Sequence, residues 1–65
     1  MATLDHAQLS SIAEAVEETV TRVADLGERL DSAGTSDAAN ALFEAERSLK
    51  MASRALARAG RSLGN

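Results

Sequence analysis

Between residues 38 and 63 the chain reads AANALFEAERSLKMASRALARAGRSL, and within it Leu and Ala each recur every seven residues. The repeated leucines are Leu42, Leu49, Leu56 and Leu63. The repeated alanines are Ala38, Ala45, Ala52 and Ala59. An apolar repeat of seven marks the side along which one helix packs lengthwise on another, and alanine allows the two backbones to approach closely. The repeat therefore predicts a helix that packs along its length on a partner helix.

The first half of the chain carries a similar repeat. Two positions of the seven-residue repeat are mainly apolar here. The first is occupied by Leu9, Val16, Val23 and Leu30, and the second by Ile12, Thr19, Leu26 and Ala33. Further small and apolar residues lie beside these columns, namely Ala13, Val20 and Gly27 in the first half and Ala41, Ser48, Ala55 and Ser62 in the second. Two amphipathic helices with a shared repeat predict an all-α fold, and their apolar faces are broad enough to need more than one partner helix each.

A short polar segment separates the two repeats. Gly34 suits the left-handed conformation that ends many helices, and the residues after it offer a cap and a first-turn carboxylate for the next helix. We predict helix 1 over about residues 6–33 with Asp5 as its cap, a loop at 34–36, helix 2 over about 37–60, and a frayed tail at 61–65. So short a connection folds the helices back on each other as a single antiparallel αα-hairpin.

The chain is small for a protein that folds alone. It has 65 residues, with no Cys for disulfides or thiolate metal sites and no Trp, Tyr or Pro. A core of this size seldom supplies more than about 3–5 kcal/mol, so association of copies is the remaining means of stabilisation. We expect two coiled-coil-like hairpins to dimerise into a four-helix bundle. The predicted oligomer interface consists of Leu9, Ile12, Val16, Val20, Val23, Leu26, Leu30, Leu42, Ala45, Leu49, Ala52, Leu56 and Ala59.

In length, loop position and heptad register the chain resembles the Rop-type helical hairpin. The resemblance implies a homodimeric four-helix bundle. Rop-type bundles recognise paired RNA loops through a helical face that carries basic residues and an aromatic one. Helix 1 of this chain is acidic and has no aromatic residue, so the resemblance concerns shape.

Charge is distributed unevenly along the chain, whose formal net charge is −3. Residues 1–34 contain seven acidic and two basic side chains, whereas residues 35–65 contain five basic and three acidic ones. An acidic helix beside a basic one favours antiparallel pairing, within one chain or between copies. The acidic total argues against a general nucleic-acid binder.

The side chains that catalysis or metal binding would need are scattered. His6 is the single imidazole and has no His or carboxylate three or four residues on, while Glu14, Glu17 and Glu18 lie away from the predicted packing columns. No serine is placed with a base, and the glycines are scattered singly. We therefore expect no enzyme activity, no metal and no cofactor. No stretch approaches the ~20 apolar residues of a membrane span and the start resembles no targeting signal, so we expect a cytoplasmic protein without membrane contact.

A row of basic residues along one flank of helix 2 is the candidate site for a partner. The predicted contact residues are Phe43, Met51, Arg47, Arg54, Arg58 and Arg61, with Lys50 in the same row. Contact with another protein would make the chain a small non-enzymatic module that scaffolds or regulates that protein. The alternative is binding of an anionic ligand or nucleic acid, although balancing the helix dipole and an acidic neighbour also explains the arginines. A further alternative is an obligate subunit that folds on meeting a different chain.

Overall fold

The computed structural model describes residues 2–64, and the side chains from residue 4 onward, as two helices packed side by side. Helix α1 runs Ala2–Ser32 and helix α2 runs Ser36–Gly64. These helices confirm the predicted all-α hairpin. α1 begins before the predicted start, so Asp5 lies within its first turn instead of capping it. α2 continues past the predicted end, so the tail expected to fray is helical as far as Gly64.

The connection between the helices is a hydrogen-bonded reversal at Gly34, whose φ is +87°. The Gly34 N–H donates to the Asp31 carbonyl at 3.1 Å, and the Thr35 N–H donates to the Leu30 carbonyl at 3.0 Å. These are the two bonds of the Schellman motif, which requires a left-handed residue where Gly34 lies. The Thr35 hydroxyl also donates to the Leu30 carbonyl, at 2.7 Å. Because its own carbonyl accepts from the Ala39 N–H at 3.0 Å, Thr35 links the end of α1 to the start of α2.

Each helix packs on the other through two columns of residues. On α1 one column is Leu9, Val16, Val23 and Leu30, as predicted, and the other is Ala13, Val20 and Gly27. On α2 one column is Leu42, Leu49 and Leu56, and the other is Ala39, Glu46, Ser53 and Gly60. Leu63, the fourth leucine of the predicted repeat, is 43% exposed and lies outside the contact. Ala39 and Gly27 are buried, and the other members of these columns are half-buried.

The second column that the sequence predicted for each helix lies outside this contact. On α1, Ile12 is 50% exposed and Leu26 is 40% exposed. On α2, Ala38, Ala52 and Ala59 are exposed as well. The alanine repeat, which was predicted on the packing side of helix 2, therefore lies largely outside the contact between the two helices.

Phe43 accounts for the rotation of the helices. Its ring lies so close to Gly27 that a methyl group added to the glycine would be 2.7 Å from Cε1 of Phe43. Turning α2 to bring Ala45 and Ala52 inward would carry Phe43 out to solvent. Exposing a phenyl ring costs more free energy than exposing alanine methyl groups. The hairpin therefore half-buries the ring of Phe43 and leaves most of the alanine column exposed.

The two helices form a rod of 50 × 15 × 10 Å with a radius of gyration of 14.9 Å. A compact domain of this length would have a radius of gyration of about 11 Å. Gly27 faces Phe43, Leu9 faces Gly60 and His6 faces Gly64, so residues at the same level of the rod have numbers that add to 69 or 70. The rod is one helix pair thick along its length, which leaves both of its flanks accessible.

Candidate interaction surfaces

The two flanks of the hairpin differ in chemistry. On one flank, Glu17 and Val20 of α1 lie beside Lys50, Ser53 and Arg54 of α2 around a shallow depression. We call this side, which also carries Phe43, the charged flank. Each helix also has exposed columns on the other side of its packed columns. Helical geometry brings these exposed columns of α1 and α2 together on the opposite flank of the hairpin.

The opposite flank, named here the small-residue face, consists of small or apolar side chains. From α2 it contains two adjacent columns. The inner column is Ala38, Ala45, Ala52 and Ala59, and the outer column is Ala41, Ser48, Ala55 and Ser62. From α1 it contains Ile12, Thr19 and Leu26. All of these residues are exposed except Ala45, which is half-buried. None of them is charged, in contrast to the charged flank.

The details of α1 make this face more apolar than its composition suggests. The Thr19 hydroxyl donates to the Ala15 carbonyl at 2.8 Å, so its proton is already engaged within the helix. Ile12 and Leu26 are large aliphatic residues with about half of their surface in solvent. Contiguous exposed apolar surface of this kind is typical of protein interaction sites.

Charged residues border the small-residue face on both helices. On α1, Arg22, Asp25 and Arg29 line a shallow groove beside Leu26. On α2, Asp37 and Glu44 lie next to the outer column of small residues near the loop. The border is therefore mixed in charge on α1, with two arginines and one aspartate, and acidic on the loop half of α2.

The structure separates the residues that the sequence proposed for partner binding. Phe43 is half-buried against Gly27, so its ring stabilises the hairpin. Met51, by contrast, is 66% exposed. It lines a shallow depression together with Arg47, Lys50 and Arg54. Met51 is thus the accessible apolar side chain within the basic row.

The basic row is partly balanced within α2. Arg58 and Arg61 are exposed further along the helix. Lys50 Nζ lies 3.1 Å from Glu46 Oε2, an ion pair in which the lysine side chain is 53% exposed. Because the lysine end of the pair is exposed to solvent, the pair contributes little to stability, but it reduces the positive charge that the row presents.

The predicted oligomer-interface residues fall into two groups. Eight of them pack within the hairpin, namely Leu9, Val16, Val20, Val23, Leu30, Leu42, Leu49 and Leu56. The other five lie on the small-residue face, namely Ile12, Leu26, Ala45, Ala52 and Ala59. The second group therefore lies at the surface of the hairpin, with Ala45 half-buried and the other four residues exposed.

Within the described residues, no three His, Asp or Glu side chains lie close enough together to hold a metal ion. Neither helix, over that same part of the chain, combines the length and apolar character needed to cross a bilayer. Comparison with known protein families, curated proteins and solved structures finds no match to the chain.

Proposed function

We propose that this chain is a non-enzymatic interaction module in which two copies pack their small-residue faces together as a four-helix bundle. The observation that carries the proposal is the uncovered small-residue face, where Ile12 and Leu26 are exposed among alanines. The charged flank points away from this contact and stays available to another protein.

The surface area of the hairpin supports a dimer. Its accessible surface is 4787 Å², whereas a folded monomer of this mass exposes roughly 4,000 Å². The difference of about 800 Å² equals the area that each partner contributes to a standard protein–protein interface. Packing two hairpins through one flank would bring the surface of each copy to the value normal for its size.

The small-residue face offers enough burial to hold two copies together. A fully buried Ile or Leu contributes about 1.5–3 kcal/mol relative to the exposed side chain. Ile12 and Leu26 are about half exposed, so each has about 1 kcal/mol still to gain, and a dimer contains two of each. The alanines around them would allow facing helices to approach to about 8 Å, which adds dispersion contacts.

The basic row of α2, with Met51 exposed beside it, supports the proposed role toward a partner protein. Met51 provides an exposed apolar contact, and Arg47 and Arg54 surround it with positive charge. A protein surface with acidic residues around an apolar pocket would complement this arrangement. Two such sites would lie on opposite outer sides of the dimer, so one bundle could hold two partner molecules.

A pair of alanine substitutions tests the dimer. Ala52→Glu places a charge in the middle of the small-residue face, where the monomer tolerates it but the dimer would have to bury it. Ala57→Glu is the matched control, because Ala57 is exposed on the charged flank of the same helix. Sedimentation equilibrium at micromolar concentration gives the mass, and circular dichroism gives the helicity. We expect the wild type and Ala57→Glu at twice 6.8 kDa and Ala52→Glu as a monomer or unfolded.

Three outcomes would overturn this proposal. A fully helical wild type that sediments as a monomer would show that the hairpin needs no second copy. Ala52→Glu that dimerises as well as Ala57→Glu would show that the copies meet through another surface. A wild-type chain that is unfolded by itself would instead indicate an obligate subunit of a heteromeric complex.

The depression between Arg47, Lys50 and Arg54 favours a second candidate function, binding of an anionic ligand or nucleic acid. Fluorescence anisotropy with a labelled RNA oligonucleotide and a labelled polyglutamate peptide tests it. Binding through the arginines would weaken steeply with salt and disappear when Arg54 and Arg58 are both replaced by Glu. Absent or salt-insensitive binding of both probes would exclude this candidate.

A further inference from the structure

We propose that the two hairpins are related by a twofold axis parallel to the helices, so that α1 of each copy packs on α2 of the other. This arrangement rests on the dimer proposed above and specifies what each residue of the small-residue face meets. Rotation about such an axis leaves every residue at its own level along the rod. The levels observed within one hairpin therefore also apply between copies.

The level of Ile12 decides its contact. Opposing residues have numbers that add to 69 or 70, so Ile12 is level with residues 57 and 58. Across the axis it would fall between Ala55 and Ala59 of the other copy. Both alanines are exposed in the hairpin, and their small side chains leave room for the isoleucine.

The two remaining residues of the α1 column follow the same rule. Leu26 is level with residues 43 and 44, so it would fall between Ala41 and Ala45 of the other copy. Thr19 is level with residues 50 and 51, and it would lie beside Ala52. Each layer of the contact would thus combine one larger side chain of α1 with small side chains of α2.

Side-chain size favours this axis over the alternative. Layers that all pair a larger side chain with small ones keep the distance between facing helices uniform. A twofold axis perpendicular to the helices would instead place α1 on α1, with Ile12 near Leu26, and α2 on α2, with alanine on alanine. One helix pair would then be wide and the other narrow, which leaves gaps or forces strain in a rigid bundle.

The position of Arg29 at the border of the face is compatible with the proposed axis. Arg29 is level with residues 40 and 41, midway between Asp37 and Glu44. Across the axis its long side chain would reach over the small residues of α2 toward these two carboxylates. Within one hairpin Arg29 and Glu44 lie on outer edges of the rod, so such a contact forms only between copies. Contacts of this kind at a rim fix orientation more than they add affinity.

Single cysteines can identify the axis, because the chain has no cysteine of its own. Thr19 and Ala52 lie near the middle of the small-residue face at almost the same level. Thr19→Cys and Ala52→Cys are purified separately, mixed in equal amounts, equilibrated and oxidised, and mass spectrometry identifies the linked dimers. We expect the dimer that links position 19 to position 52 to exceed either homodimer at least about tenfold, because a disulfide needs Cα atoms within about 7 Å.

The controls separate failure of the axis from failure of the dimer. Thr19→Cys mixed with Ala57→Cys should give only background linkage, since Ala57 lies on the charged flank. A reduced mixture that sediments as monomer would overturn the dimer itself. A dimeric mixture that yields linked homodimers, or no linkage, would overturn the axis alone.

A charge exchange gives an independent reading of the same axis. Arg29→Glu should weaken the dimer about threefold to tenfold, because the new carboxylate would face Asp37 and Glu44 in both symmetric contacts. Adding Glu44→Arg to the same chain should restore the wild-type Kd. A double variant that dimerises no better than Arg29→Glu would contradict the proposed border contacts.

Discussion

Replacing Gly27 by alanine tests the contact that sets the rotation of the helices. In an open helix interior this change stabilises by about 0.5–1 kcal/mol. At Gly27 the added methyl group would lie 2.7 Å from Cε1 and 3.1 Å from Cδ1 of Phe43, against an optimum of about 3.5–4.0 Å between carbons. The ring would have to move by about 1 Å, and overpacking of this kind costs about 1–3 kcal/mol. We expect Gly27→Ala to lower the free energy of unfolding by about 0.5–2 kcal/mol.

Another glycine of the packed columns provides the matched control. A methyl group added at Gly60 would lie 3.9 Å from Cδ2 of Leu9, which is an ordinary contact. Gly60→Ala should therefore raise the free energy of unfolding by about 0.5–1 kcal/mol. In a Phe43→Ala background Gly27→Ala should become stabilising as well, with a coupling free energy of about 1–3 kcal/mol between the two positions.

Urea unfolding followed by circular dichroism measures these differences. All variants must be compared at one protein concentration, because the stability of a dimer depends on it. If Gly27→Ala stabilises as much as Gly60→Ala, the ring of Phe43 is not confined by the glycine. If Gly27→Ala has the same effect with and without Phe43, the explanation for the uncovered alanine column is wrong.

The loop and the polar residue in the packed column of α2 give two further predictions. Gly34→Ala should lower the free energy of unfolding by about 1–2 kcal/mol, because Gly34 has a φ of +87°, and Gly34→Asn should cost less in the same urea titration. Glu46→Leu should raise the free energy of unfolding by about 1 kcal/mol. The Glu46 side chain is only 21% exposed, and it lies in the packed column between two leucine layers. A decrease for Glu46→Leu would show that this column does not pack on α1.

Much of the fold could be predicted from the sequence because its signals are local. The heptad leucines and the apolar column of α1 that starts at Leu9 identify one packed column on each helix. Gly34 marks the reversal, and its positive φ confirms why glycine is needed there. No local signal in the sequence indicates that helix 2 continues past residue 60. Gly60 lies opposite Leu9, and α2 runs on to Gly64.

The second packed column could not be predicted from periodicity. On α2 the choice lay between the alanine column and a column that contains Glu46 and Ser53, and average hydropathy favours alanine. The contact of Phe43 with Gly27 decided the choice, and a repeat pattern does not encode a contact between distant residues. A signal was nevertheless present, since a glycine within a long helix costs stability and so suggests that another group approaches it closely.

The tight reversal at Gly34 makes the two ends of the rod dynamically different. Contacts beside the loop join residues close in sequence, whereas the contact of Leu9 with Gly60 closes nearly the whole chain. The entropy lost on closing a contact grows with that separation, so the helices join first near Gly34 and separate first near His6. Amide hydrogen exchange should therefore quicken steadily toward the chain termini. With an axis parallel to the rod, the slowly exchanging ends of both copies would lie together at one end of the bundle.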